Sequence, residues 1–365
     1  MKRIIVVCAI LGSMISAGFA LESGLLPYGV GAKYAGMGGA AAAIVDDISS
    51  AYFNPAGIVK SGRVELKLGA GAATEGLADI MKVFGNVSDP TKFIADNVSN
   101  TINVNGNMNA LIGLNIAKIG LTVIPVGSLA FVKPAGFNGN AVAMMAYEGI
   151  LTLGYGLSTP ILPVATLDLG ANIKYVGAAA ATVAANLNAS TNSVTNYSGT
   201  GFDLGAKAKI DTFAIPFSVA VVIKDLGETL SGTTKATTST YDPATGTTTT
   251  SPATETNTSI TAPQTIVIGA STTIPGIGLK VAADIDSVGS TSYQSAYTVT
   301  HLGVEYPLAV LALRAGLITG GTNGSISMTT IGAGLNFFGN LNIAMIMDGK
   351  NTKNNQMVFD TGFAF

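Results

Sequence analysis

The sequence predicts an all-β chain, a transmembrane antiparallel β-barrel of about fourteen strands. Three observations predict it. From Arg63 onward apolar and polar residues alternate at period two. The connections between these segments are alternately long and short. The chain ends on a strand whose apolar face reads Phe359, Thr361, Phe363, Phe365. An aromatic residue at the end of the last strand suits the interfacial girdle of an outer-membrane barrel. Phe363 and Phe365 are therefore read as the membrane-insertion signal for the barrel-assembly machinery.

Residues 1–20 read as a secretory signal peptide. Lys2 and Arg3 form a basic start, Ile4 to Ile15 an apolar run, and Ala17-Gly18-Phe19-Ala20 offers small residues before a cut after Ala20. Cys8, the only cysteine, lies in this leader and lacks a lipoprotein context. A mature chain without a thiol has no disulfide, thiolate metal site or cysteine nucleophile. Residues 21–62 then form an N-terminal segment and 63–365 the barrel.

Within 63–365 the alternation is explicit. Leu167, Leu169, Ala171, Ile173 and Tyr175 alternate with Asp168, Gly170, Asn172 and Lys174; Phe202, Leu204, Ala206, Ala208 and Ile210 alternate with Asp203, Gly205, Lys207 and Lys209. In a barrel the charged face lines the lumen and the apolar face meets lipid. Strands are expected near 63–72, 106–117, 119–130, 144–158, 165–178, 201–210, 213–226, 264–274, 278–286, 298–306, 310–319, 326–336, 340–348 and 357–365. The long connections, among them 73–105, 179–200 and 227–263, belong outside the cell, and the tight ones, such as Lys118 and Asp211-Thr212, in the periplasm. The Thr- and Ser-rich stretch 233–263 reads as a mobile external loop. Residues 75–98 read as an amphipathic helix that either covers a hydrophobic entry or packs on its own barrel mouth.

Composition agrees. Charged residues are 11%, against about 25% in an ordinary soluble protein, while hydrophobic residues reach 48% without a helix-length apolar run. Net charge is −2, and no basic cluster suits phosphate neutralisation, which excludes nucleic acid as a partner. With Trp absent, Tyr and Phe must supply an aromatic belt.

Residues 28–59 contain Tyr28-Gly29-Val30-Gly31-Ala32, Gly36-Met37-Gly38-Gly39-Ala40, Asp46-Asp47 and Tyr52-Phe53-Asn54-Pro55-Ala56-Gly57. This block resembles the start of proteins of the FadL-like outer-membrane superfamily. Phe202-Asp203-Leu204-Gly205-Ala206-Lys207, Lys224-Asp225-Leu226-Gly227 and His301-Leu302-Gly303-Val304-Glu305-Tyr306 look most like its PorV/PorQ and TraF-like branches. The resemblance implies fourteen strands and an N-terminal segment folded into the lumen as a plug. Gly36, Gly38 and Gly39 would allow close approach to the wall, Asn54 and Pro55 would shape a turn, and Asp46 and Asp47 could pair with luminal Lys and Arg. These seven residues are the candidate gating set. No strand precedes the glycine cluster, so it is not a dinucleotide site.

The sole histidine, His301, falls on the luminal face without nucleophile context, so neither catalysis nor a metal site is expected there, and no cofactor is expected. Luminal charges of both signs, such as Lys174, Asp203 and Arg314, are expected to pair across strands. Pro125 interrupts the third strand two residues before Gly127 and marks a bulge or break. The superfamily resemblance implies a kink there that opens the wall sideways; a rim bulge without an opening is the other reading.

The expected function is passage of small hydrophobic compounds across the outer membrane. The alternative is a non-transporting interaction barrel serving secretion, surface attachment or conjugation-linked envelope assembly. Expected partners are outer-membrane lipid, the assembly machinery, and a hydrophobic small molecule or a secretion or conjugation protein.

Overall fold

The computed structural model describes residues 30–73, 102–133, 139–158, 165–185, 189–211, 215–242, 245, 247–292, 294–337, 339–352 and 355–365. The leader at 1–20 and the helix expected at 75–98 lie outside them.

One sheet of sixteen strands runs through the chain. In order these are β1 (Val64–Ala73), β2 (Ile102–Ile116), β3 (Ile119–Lys133), β4 (Gly139–Ser158), β5 (Ala165–Ala185), β6 (Ala189–Ile210), β7 (Phe217–Asp242), β8 (Thr247–Thr250), β9 (Thr254–Thr261), β10 (Thr265–Ile274), β11 (Leu279–Val288), β12 (Tyr297–Leu308), β13 (Leu311–Gly320), β14 (Ile326–Asn336), β15 (Asn340–Asp348) and β16 (Gln356–Ala364). Every pairing is antiparallel, and all but three join sequence neighbours: β7 pairs with β10 and with β9, and β1 pairs with β16, which closes the ring. Fourteen strands form it; β8 and β9 stand outside it. At the seam Phe365 N donates to Val64 O at 2.8 Å and Val64 N donates to Phe365 O at 3.0 Å. The last residue thus closes the first strand's ladder.

Alternation decides the two faces. In β1, Glu65 and Lys67 are buried while Val64, Leu66 and Leu68 are exposed. Each of the fourteen ring strands turns at least one large apolar residue outward, from Leu151 (37% exposed) to Met145 (72%). A band of this extent is far larger than the apolar patches of soluble monomers. Tyr155, Tyr306, Phe337, Phe363 and Phe365 are exposed towards the rim that carries the short turns. There Ala117 and Lys118 take φ of 51° and 72°, the left-handed pair that a two-residue hairpin requires.

Three connections differ from expectation. Instead of a loop at 179–200, β5 extends to Ala185 and β6 begins at Ala189. Instead of a mobile loop at 233–263, β7 continues to Asp242, β9 pairs with its residues 229–236, and β8 with its residues 239–242. β2 begins at Ile102 rather than near 106. The physical reason is that Thr is a good strand former, and hydroxyl pairs such as Thr195–Thr234 at 2.8 Å and Ser239–Thr250 at 2.9 Å knit the rows. Polar composition there marks a wall standing clear of the apolar band.

A real irregularity lies in β7. Its register with β6 shifts between Thr200 and Phe202 and again between Phe202 and Leu204, opposite Asp225 and Gly227, whose φ values are 61° and 63°. At this double bulge β7 exchanges β10 for β9 as its neighbour.

Candidate functional site in the barrel interior

Residues 30–60 run inside the ring. They form α1 (Ala32–Ala35), tight turns, α2 (Ser50–Phe53) and a 3-10 helix (Pro55–Lys60) that leads into β1. Helices of four residues cannot stand alone, so these depend on the surrounding wall. Val30, Tyr34, Met37, Ala40, Val45, Ile48 and Ile58 are completely buried.

The wall is recessed to receive two turns of this segment. Gly303 of β12 and Gly316 of β13 are cross-strand partners, and a side chain at either would run into Met37 and Gly38. Gly38 has φ 66°, and a Cβ on it would lie 2.7 Å from Leu302 O and 2.8 Å from Leu317 N. Only glycine serves on both sides of this contact. Gly154, Gly170 and Gly205 likewise form a row across β4, β5 and β6. Pro55 and Asn54 sit against the last two, and Ile58 against Gly154. Ile48 fills the space over Gly113 and Gly120. Each isoleucine buried this way contributes about 1.5–3 kcal/mol.

Asn54 joins local and distant parts of the chain. Its Oδ1 accepts from Ala56 N at 3.0 Å, capping the 3-10 helix, and its Nδ2 donates to Ala42 O at 2.8 Å. Pro55 occupies the first helical position, where a missing N–H costs nothing. Gly36 approaches Gly332 of β14, and Gly39 lies against the His301 ring.

Polar contacts fasten the segment around the ring. Asp284 Oδ2 of β11 accepts from Ala41 N at 2.7 Å and Ala42 N at 2.8 Å. Thr330 of β14 donates to Gly36 O at 3.0 Å and accepts from Gly38 N at 2.9 Å. His301 Nδ1 lies 2.7 Å from Gly38 O. Asn172 of β5 donates to Ala51 O, and Lys207 of β6 to Val45 O, both at 2.7 Å.

The two aspartates separate. Asp46 pairs with Lys33 of the same segment at 2.7 Å and with the Tyr34 hydroxyl at 3.1 Å, so it does not reach a luminal cation as expected. The chain folds back on α1, which places Lys33 and Tyr34 beside Asp46. Asp47 does reach the wall, 2.8 Å from Lys67 Nζ of β1, and Lys67 also lies 3.5 Å from Asp360 of β16. Burial alone would raise the Asp47 carboxyl, but Lys67 and Lys33 outweigh it and hold it down at about 2. Burial, with Asp47 and Asp46 nearby, pushes the Tyr34 hydroxyl well above its ordinary value.

Other luminal charges pair as expected. Arg314 and Glu305 meet at 2.7 Å, Lys280 and Glu305 at 2.8 Å, and Lys174 contacts Asp203, Asp225 and Glu228. The last two come from the β7 bulge.

Pro125 is not at a bulge. β3 keeps one register with β2 on both sides of it, Asn109 opposite Val126 and Ile112 opposite Val123, with pairing lapsing between. On the β4 side pairing is continuous through Pro125 and Gly127. Proline removes a donor without inserting a residue, so rungs lapse and register survives.

Sequence reasoning missed Asp284, Thr330, Asn172 and Lys207 as anchors, and the glycine recesses. The recesses had a signal, glycines of inward parity on neighbouring strands.

No protein-family model matches the chain, and no curated protein matches it in sequence. Solved structures do match. The CymD monoaromatic hydrocarbon channel superposes with TM-score 0.59 at 14% identity, over 93% of this chain and 98% of that one. The Ralstonia pickettii toluene transporter TbuX gives 0.58 at 12% identity, over 92% and 98%. The P. putida toluene transporter TodX gives 0.57 at 12% identity, over 92% and 99%. The chain therefore shares its fold with these proteins across nearly its whole length.

Proposed function

We propose that the protein is an outer-membrane barrel that passes small hydrophobic compounds, with residues 21–62, after removal of 1–20, as the plug in its lumen. One observation carries this reading. A ring closed at Val64–Phe365, apolar outside on every strand, holds inside it a segment that is continuous with the wall only where it enters β1 and is otherwise fastened by hydrogen bonds, ion pairs and packing. Backbone of that irregular kind is tolerable at membrane depth only when surrounded by protein or water. A segment so held can shift and open the lumen. The similarity to proteins described as toluene transporters and a monoaromatic hydrocarbon channel supports solutes of that size and polarity. The lapse of pairing at Pro125 is the proposed side exit, and Phe363 and Phe365 the proposed insertion signal. Outer-membrane lipid and the assembly machinery are the partners this role requires.

The test is flux of toluene into proteoliposomes containing the purified, heat-modifiable protein. Flux well above that of empty vesicles is expected. Inserted protein with none would overturn the reading.

A second reading rests on the polar wall. Among the described residues β9 pairs only with β7, which leaves its other edge without a partner strand there. An open edge is a template for another chain, which suits an interaction barrel in secretion, surface attachment or conjugation-linked assembly.

A further inference from the structure

The outer face of the wall changes character at a definite height. Along β6 the exposed outward side chains run Leu204 and Phe202, then Thr200, Ser198 and Asn196. Strand register carries the change sideways. Thr200 pairs with Tyr175 of β5 and Thr229 of β7, and Thr229 with Thr261 of β9. The next row of the same face runs Tyr147 of β4, Gly177, Ser198, Ser231 and Ser259. The row beyond it runs Ala179, Asn196, Thr233 and Asn257. Tyr147 and Tyr175 are exposed, with ring centres 6.1 Å apart. Outward tyrosines at the end of an apolar band mark the membrane interface. The hydroxyl and amide rows thus begin where hydrocarbon ends, each row about 7 Å further along the strands.

These rows form a shallow depression of about 800 Å³, lined by the side chains of Asn196, Ser198, Ser231, Thr233, Asn257 and Ser259. Five of the six are exposed and Thr233 is half-buried. Among the described residues none of these side chains makes a hydrogen bond. On the inner face of the same strands hydroxyls pair with one another, as Thr195 does with Thr234 at 2.8 Å. The outer donors and acceptors are left for a ligand. Charge says which ligand. Lys235 and Glu255, in the row above, neutralise each other at 2.6 Å, so these rows hold no spare cation for a phosphate. They hold no large apolar side chain on β6, β7 or β9 for an acyl chain either. Uncharged groups that both donate and accept match the hydroxyls of a sugar.

We propose that this face binds the neutral sugars of an outer-leaflet glycolipid, the lipid whose acyl chains lie against Phe202 and Leu204 on the same strand. A lipid seated on the apolar band places its own head group at the height of the Ser and Asn rows. The inference rests on the outer-membrane placement and does not require flux.

Native mass spectrometry of the detergent-purified protein tests it, with titration by lipopolysaccharide carrying its core oligosaccharide and, separately, by lipid A. Lipid A has the acyl chains and phosphates without the core sugars. The core-bearing molecule should bind roughly tenfold tighter, the factor that one or two net hydrogen bonds supply. Ser198→Ala, Ser231→Ala and Ser259→Ala together remove one row of hydroxyls and leave the backbone ladder, and should abolish most of that advantage. Asn196→Ala with Asn257→Ala should do the same, and serves if the triple variant does not fold. Thr195→Val, on the inner face, should keep the advantage. Equal affinity for the two lipids, binding of neither, an advantage that survives in a folded outer-face variant, or one lost equally in Thr195→Val would overturn the proposal. So would a dimer of the wild type that the outer-face variants dissolve, which would give the face to a second copy. Core binding without toluene flux would keep this surface and remove the transport reading; flux without core preference would remove this surface alone.

Discussion

Lys67 of β1 and Asp47 of the inner segment meet at 2.8 Å, with the lysine side chain wholly buried and Asp360 of β16 at 3.5 Å on its other side. One ammonium thus ties the segment to the two strands that close the barrel. Removing it leaves two carboxylates unpaired. Lys67→Ala should cost about 3–5 kcal/mol in the retention of the segment, the range for breaking a buried pair from one side. A cysteine at buried Ala41, in a Cys8→Ser background, should then react with a bulky thiol reagent that does not reach it otherwise. Adding Asp47→Ala should restore part of the protection; slow labelling in the single variant would contradict the role given to Lys67.

The same pair carries a pH dependence. Asp47 is held at about 2, below the ordinary 3.8 of its unfolded form. A depressed carboxylate stabilises above the unfolded value, and the contribution is lost as pH falls through the folded one. The shift is worth about 2 kcal/mol. Labelling at Ala41→Cys, quenched after incubation between pH 4 and pH 2, should rise as pH falls. In Asp47→Asn the rise over that window should be much reduced. An identical profile in the two proteins would assign the transition elsewhere.

The glycine recesses predict a position-specific intolerance. Gly303→Val and Gly170→Val place side chains where Met37 and Pro55 lie, so folded barrel should be lost or the segment expelled. Gly149→Ala is the control, because its Cβ meets only Tyr175 O, at 3.9 Å. Heat-modifiable migration on gels and Ala41→Cys labelling read the two outcomes. Normal assembly of Gly303→Val with a protected segment would refute the fit.

Pro125→Val, with Gly127→Val, should restore a backbone donor where pairing with β2 lapses, without changing register. If hydrophobic solute leaves through that wall, toluene flux should fall several-fold while the inserted amount stays constant. Unchanged flux would place the exit elsewhere.

Much of the barrel was legible because a half-apolar wall imposes period two on every strand. Phe359, Phe363 and Phe365 stand outward and Asp168, Lys174, Asp203 and Lys207 inward, as the alternation of β5, β6 and β16 indicates. The wall above the apolar band was not legible. There, no face is apolar, so β7 through Asp242 and β9 show no alternation, and Thr pairing alone carries the structure. The anchors of the inner segment were only half legible. Asp46 and Asp47 are adjacent in sequence, and nothing local distinguishes the one that turns to Lys33 from the one that reaches Lys67. Asp284, 243 positions from Ala41 in the chain, became an anchor only once the ring closed.

The central claim is that movement of the inner segment opens the lumen. Ala42 of the segment packs in one cluster with Ala220 of β7. A disulfide between Ala42→Cys and Ala220→Cys, in the Cys8→Ser background, would hold the segment to the wall, and toluene flux into proteoliposomes would be compared before and after reduction. Flux abolished when oxidised and recovered on reduction is the predicted result. Equal flux with the bridge formed and with it reduced would contradict the claim.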